Sequence, residues 1–240
     1  MMREAESLGV EINWRDDGGL AYGPAGTPGN PGTLLLDPDV SFGAWLHEIN
    51  HLRDDAAAGW PSMRSWFMDP SIRAAAETRA YNAEIEYALS IGDTRAAAAT
   101  RASRRGNPRD RENAVTDSLP AFGPSPATGT MTNEELVALV RVGGPYQGKA
   151  VLELIDRAQS DDAAVEALAT VAQLSNVQTD RIFHLVSLAW AAITGLLATE
   201  RPGAREHAYR AFAALSERDR RDLLVYLRVE RVEDAHPAKP

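Results

Sequence analysis

The run Leu46-His47-Glu48-Ile49-Asn50-His51-Leu52 holds the residue types that a catalytic metal site requires. Two histidines four apart on a helix project from one face, so His47 and His51 can grip the same ion. Neutral imidazole suits zinc, and a catalytic zinc takes three protein ligands while leaving one position for water. Glu48, one residue along, does not point where a third ligand must sit, but it can reach that water. Zinc lowers the pKa of water toward about 7, and a neighbouring carboxylate takes the proton as the nucleophile attacks a carbonyl. The same Glu48 can then pass the proton to a leaving amine. With 5 histidines in 240 residues, chance composition produces this arrangement in under about one chain per hundred. The bland alternative is a pair of histidines lying beside an amphipathic stripe of Trp45, Leu46, Ile49 and Leu52.

A third ligand must come from elsewhere. A histidine six residues after His51 is excluded, because Ala57 stands there and Asp54 holds the halfway position. His184, His207 and His236 lie far downstream, and His207 reads as an ordinary exposed histidine near Arg205 and Glu206. A carboxylate on the next helix is simpler: Glu77 ranks first, Glu84 second and Asp69 third. Glu77, Tyr81 and Glu84 stand at i, i+4 and i+7, so they share a face with the small residues Ala80 and Ala88. Without the histidines, that face would read as solvated charge paired with Arg73 and Arg79. Tyr81 can donate its hydroxyl to a developing oxyanion, or serve as a buried tyrosine that holds Glu84.

The elements that must carry these residues are of two kinds. Val10-Glu11-Ile12-Asn13-Trp14 alternates at period two, as a half-buried strand does. Asp17-Gly18-Gly19 reads as a hairpin turn into Leu20-Ala21-Tyr22. Residues 23–32 are a proline- and glycine-rich loop, and Thr33-Leu34-Leu35-Leu36 is a short apolar strand closed by Asp37-Pro38. From Ser41, a plausible N-cap, the period is helical through Leu52, and Gly59-Trp60-Pro61 ends the helix. Asp69-Pro70 starts a second helix that runs to about Arg105. Between the two, Trp60, Met63, Trp66, Phe67 and Met68 form an apolar cluster expected to pack under the site or to line a specificity pocket. The tryptophans read as core residues.

Residues 106–130 are rich in Pro, Gly, Ser, Thr and Asn and read as a linker or long loop. Beyond them the pattern is helical throughout, with capping-box spacing at Thr132/Glu135 and Ser216/Asp219. Breaks at Gly143-Gly144-Pro145, Ser175-Asn176 and Arg201-Pro202-Gly203 separate antiparallel neighbours of a bundle. The expected class is α+β: a catalytic part over 1–105, a linker over 106–130 and an all-α part over 131–240.

Net charge is −9, so the basic footprint of a general nucleic-acid binder is missing. The arginine clusters at 101, 104 and 105 and at 218, 220 and 221 read as solvated. The absence of cysteine removes disulfides, thiolate ligands and cysteine nucleophiles. No signal-like apolar core follows Met1, and the apolar run from Ile182 to Leu197 is too short to span a bilayer and reads as a buried helix. The expected location is the cytoplasm, or delivery as an effector, with no membrane and no nucleic-acid partner.

Over residues 10–91 the chain resembles the zincin metallopeptidases of the gluzincin type, whose third zinc ligand is a glutamate. The resemblance implies zinc on His47, His51 and Glu77, Glu48 as general base, and an edge strand, at Leu20–Tyr22 or Thr33–Leu36, that aligns an extended peptide. Thermolysin-like members carry an aspartate four residues after their ligand glutamate, where this chain has Tyr81. The segment is closer to the compact metallopeptidase domains of bacterial toxins, effectors and regulatory proteases. A zinc protease acting on a protein or peptide is therefore the leading expectation, with the helical part recruiting substrate, controlling access or meeting an inhibitory partner. A hydrolase of a non-peptide amide or ester, and a helical interaction module with a vestigial metal site, are the alternatives.

Overall fold

The computed structural model describes residues 2–16, 19–106, 123–180 and 186–237. The chain is a mixed α and β protein that divides into two compact units, Met1–Pro124 and Ser125–Pro240. The second unit opens at Ser125 rather than at 131, because Lys149 binds the Ser125 hydroxyl and the Pro126 carbonyl, both at 2.8 Å. Residues 107–122 of the expected linker lie outside the described residues.

In the N-terminal unit a short helix α1 (Met2–Ser7) precedes strand β1 (Glu11–Trp14), strand β2 (Ala21–Gly23) and strand β3 (Thr33–Leu36). The sheet order is β1-β3-β2. β1 runs parallel to β3, pairing Ile12 with Leu34, and β2 runs antiparallel to it, pairing Tyr22 with Leu34. This corrects the expected hairpin, since β1 and β2 are not paired with each other. The most apolar strand sits in the middle, where both edges are hydrogen-bonded, and so β3 cannot be a peptide-aligning edge. Leu34 and Leu36 alternate inward and join Ala5, Val10, Tyr22, Ile49 and Leu52 in one core. Each such leucine contributes about 2 kcal/mol on burial. Trp14 departs from the core expectation. It ends an edge strand, is 53% exposed, and packs against Trp45 with ring centroids 5.8 Å apart.

Helix α2 (Phe42–Ala57) lies against this sheet. Ser41 caps it by accepting the Ala44 N–H at 3.2 Å. Its far end closes through Gly59 in the left-handed region, with Trp60 N–H donating to the Asp55 carbonyl at 2.9 Å. Helix α3 (Met63–Met68) buries Met63, Trp66 and Phe67, while Met68 is exposed. The long helix expected from Pro70 to Arg105 is two helices, α4 (Pro70–Ser90) and α5 (Thr94–Gly106). Gly92 turns the chain at a φ of 78°, and Asp93 restarts it by accepting the Ala96 N–H at 2.8 Å.

The C-terminal unit is built from α6 (Asn133–Val142), α7 (Gln147–Ala158), α8 (Asp162–Ala172), α9 (Ser175–Thr179), α10 (Leu188–Leu197), α11 (Ala204–Ala214) and α12 (Glu217–Leu227). The Thr132/Glu135 capping box is complete. Of the buried helix expected over residues 182–197, the described part is α10, which starts at Leu188 and is buried at every residue, while residues 182–185 lie outside the described residues. Among the described residues no helix is long and apolar enough to cross a membrane.

Candidate metal centre

Two helices make the site. α4 starts sharply because Asp69 accepts the Ser71 N–H at 2.8 Å and Pro70 occupies the first turn. It then packs along α2, with the small side chains of Ala76 and Ala80 wholly buried. Small residues at a helix crossing allow the axes to approach, and longer side chains on either flank then meet.

His47, Glu48 and His51 are each 2% exposed, and Asp55, one turn further on, is 1% exposed. One donor atom from each of His47, His51 and Glu77 lies within 4.8 Å of the others. His47 Nε2 stands 3.4 Å from Glu77 Oε2, and His51 Nε2 stands 3.6 Å from Glu77 Oε1. Donors bound at about 2.0–2.2 Å to a four-coordinate zinc stand roughly 3.4 Å apart, so the spacing suits a shared ion. Two imidazoles and a carboxylate are also a donor set of catalytic zinc sites. The rings of His47 and His51 meet edge to face, 4.9 Å apart, and Tyr81 presses edge-on to His47 at 4.7 Å.

Electrostatics point the same way. Burial by itself depresses the His47 imidazole, but Glu77, Glu84 and the charge of Glu48 outweigh it and lift the group to about 10. The surroundings therefore favour a cation in this pocket, and a metal ion competes with that proton for the same nitrogen.

The two glutamates of α4 take different places. Glu77 faces Nε2 of His47, whereas Glu84 Oε2 lies 3.5 Å from Nδ1 of the same ring. Arg79 pairs with Asp54 of α2 at 2.9 Å, and the Arg73 guanidinium donates to the Trp66 carbonyl. The expected i, i+4, i+7 face thus looks onto the histidines. Asp69 is a helix cap, and the Ser71 hydroxyl bound at 2.6 Å holds its carboxyl below the usual range. His207 belongs to the other unit and contacts Glu166 at 2.9 Å and Arg210 at 2.7 Å. His236 is exposed there, and His184 lies outside the described residues.

Glu48 is held by the sheet. Its Oε2 accepts the backbone N–H of Tyr22 at 2.7 Å, which ties β2 to α2 at the residue beside the first histidine. The Tyr22 hydroxyl in turn donates to Asp55 Oδ2 at 2.6 Å, and Trp66 Nε1 donates to Asp55 Oδ1 at 3.1 Å. Trp66 also meets the His51 ring edge to face at 6.2 Å. Sequence reading missed this network of Tyr22, Asp55 and Trp66. Its one local signal was an aspartate four residues past His51, on the same helical face.

Protein-family models, curated proteins and solved structures were all compared with the chain, and none matches it. The functional reading therefore stands on the chemistry of these residues.

Proposed function

We propose that the N-terminal unit is a zinc-dependent hydrolase of the zincin type that cleaves peptide bonds. One observation carries the reading: two buried imidazoles from α2 and the partly buried carboxylate of Glu77 from α4 converge, with the buried carboxylate of Glu48 beside them. His47, His51 and Glu77 would hold the ion. When bound, zinc supplies Lewis acidity that polarises a carbonyl and makes water nucleophilic near neutral pH.

Glu48 is assigned the proton transfers. Adjacent in sequence to His47 and anchored by the Tyr22 N–H, it takes a proton from the attacking water and returns it to the departing amine. Tyr81, packed on His47, is assigned a hydroxyl contact to the oxyanion. β2 is an edge of the sheet and adjoins the site, so an extended substrate is best aligned along that flank. The helical unit has no comparable ligand cluster among its described residues and is assigned substrate recruitment or control of access.

Metal analysis of purified protein should find one zinc per chain. Glu48→Gln should keep the zinc and lose hydrolysis of casein and model peptides by at least about 100-fold. Normal cleavage by that variant would overturn the assigned mechanism.

A further inference from the structure

The two carboxylate oxygens of Glu84 face different neighbours. Its Oε2 stands 3.5 Å from His47 Nδ1, while its Oε1 accepts the Thr100 hydroxyl of α5 at 3.0 Å. Thr100 is itself buried. The carboxylate thus links three helices and fills the side of the imidazole that faces away from Glu77. Space for it comes from Gly43 on α2, where a Cβ would stand 3.1 Å from Glu84 Cγ.

An imidazole that binds a metal through one nitrogen must keep its proton on the other. A carboxylate at that second nitrogen fixes both the tautomer and the ring plane, and makes the ring a better donor. Glu77 and Glu84 face opposite nitrogens of one ring, Glu77 at Nε2 and Glu84 at Nδ1. We propose that Glu84, anchored by Thr100, is a positioning residue that accepts the His47 Nδ1 proton and so presents Nε2 to the metal. This rests on the metal reading above and deepens it. It also removes Glu84 from the ligand set, although at seven residues from Glu77 it shares the same helical face.

The test uses the full chain loaded with zinc. Zinc affinity is measured by competition with a chromophoric chelator for the wild type and for Glu84→Ala, Glu84→Gln, Thr100→Val and His51→Ala. Glu84→Ala should weaken zinc binding roughly 10- to 100-fold. Thr100→Val should weaken it less, and Glu84→Gln, whose amide oxygen still accepts, should recover part of the loss. His51→Ala should abolish tight binding. In the zinc-loaded wild type the His47 Nδ1 proton should appear as a slowly exchanging imidazole resonance. It should be lost in Glu84→Ala and return in Glu84→Gln, a pattern that a purely packing role would not produce. If Glu84→Ala binds zinc as tightly as the wild type while His51→Ala does not bind, the role of Glu84 is refuted and the metal reading survives. If the wild type takes up no stoichiometric zinc, both fall.

Discussion

Tyr22→Phe isolates one buried contact that joins the sheet to the site helix. The substitution keeps the ring and removes only the hydroxyl, which donates to Asp55 at 2.6 Å in surroundings where Tyr22 is 2% and Asp55 1% exposed. A hydrogen bond to a charged group is worth about 1.5–3 kcal/mol. The Asp55 carboxylate would keep the Trp66 donor, and the Gly32 N–H that reaches the hydroxyl would lose its acceptor. The expected loss is about 3 kcal/mol, or on the order of 10 °C in the unfolding midpoint of a unit this size. The sign of its pH dependence follows from Asp55. Burial lifts that carboxyl above its ordinary 3.8, and the Tyr22 and Trp66 bonds pull it back down. An acid raised in the folded state costs stability as pH climbs from 3.8 through the raised value, because ionisation is then easier in the unfolded chain. Removing the Tyr22 bond raises the group further, so the deficit should be full at pH 7 and should shrink toward pH 4. Urea titration of the metal-free protein, followed by tryptophan emission, reads this unit selectively because every tryptophan except Trp190 lies within it. A loss below about 1 kcal/mol at pH 7, or a loss of equal size at both pH values, would refute the account.

Three further outcomes are expected. Gly32→Ala places a methyl group on the Gly23 carbonyl oxygen and the Tyr22 hydroxyl, and should cost about 3 kcal/mol or more by calorimetry of the N-terminal unit. Gly195→Ala puts a Cβ 2.5 Å from Ile155 Cγ1 where α10 crosses α7. The helix-propensity gain of about 1 kcal/mol should be outweighed, leaving the C-terminal unit less stable in thermal melts while zinc uptake is unchanged. Thr132→Ala removes the capping box of α6 and should cost about 1 kcal/mol, read from the urea midpoint of the same unit by circular dichroism.

Local order decided what was legible in the chain. The interval between His47 and His51 guarantees a shared face on any α-helix, and Ser41, Pro70 and Thr132 mark helix starts because capping involves residues only two or three apart. The expected hairpin was misread because turn chemistry at Asp17-Gly18-Gly19 carries no information about which strand later enters between its arms. The long helix was misread at Gly92, whose break lies in a stretch otherwise rich in helix formers.

The sequence by itself determined that two imidazoles and an adjacent carboxylate would lie within one turn of a helix, and that candidate ligands would line another. Seven residues of α-helix return to nearly the same azimuth, so the sequence ranked Glu77 ahead of Glu84 but could not give them separate places until α4 was laid across α2. Only the tertiary structure set Glu77 at Nε2 of His47 and Glu84 at Nδ1, and only it joined Tyr22 to both Glu48 and Asp55. Those contacts depend on how two helices and a strand cross, and the crossing follows from burial summed over the whole unit rather than from any residue's neighbours in the chain.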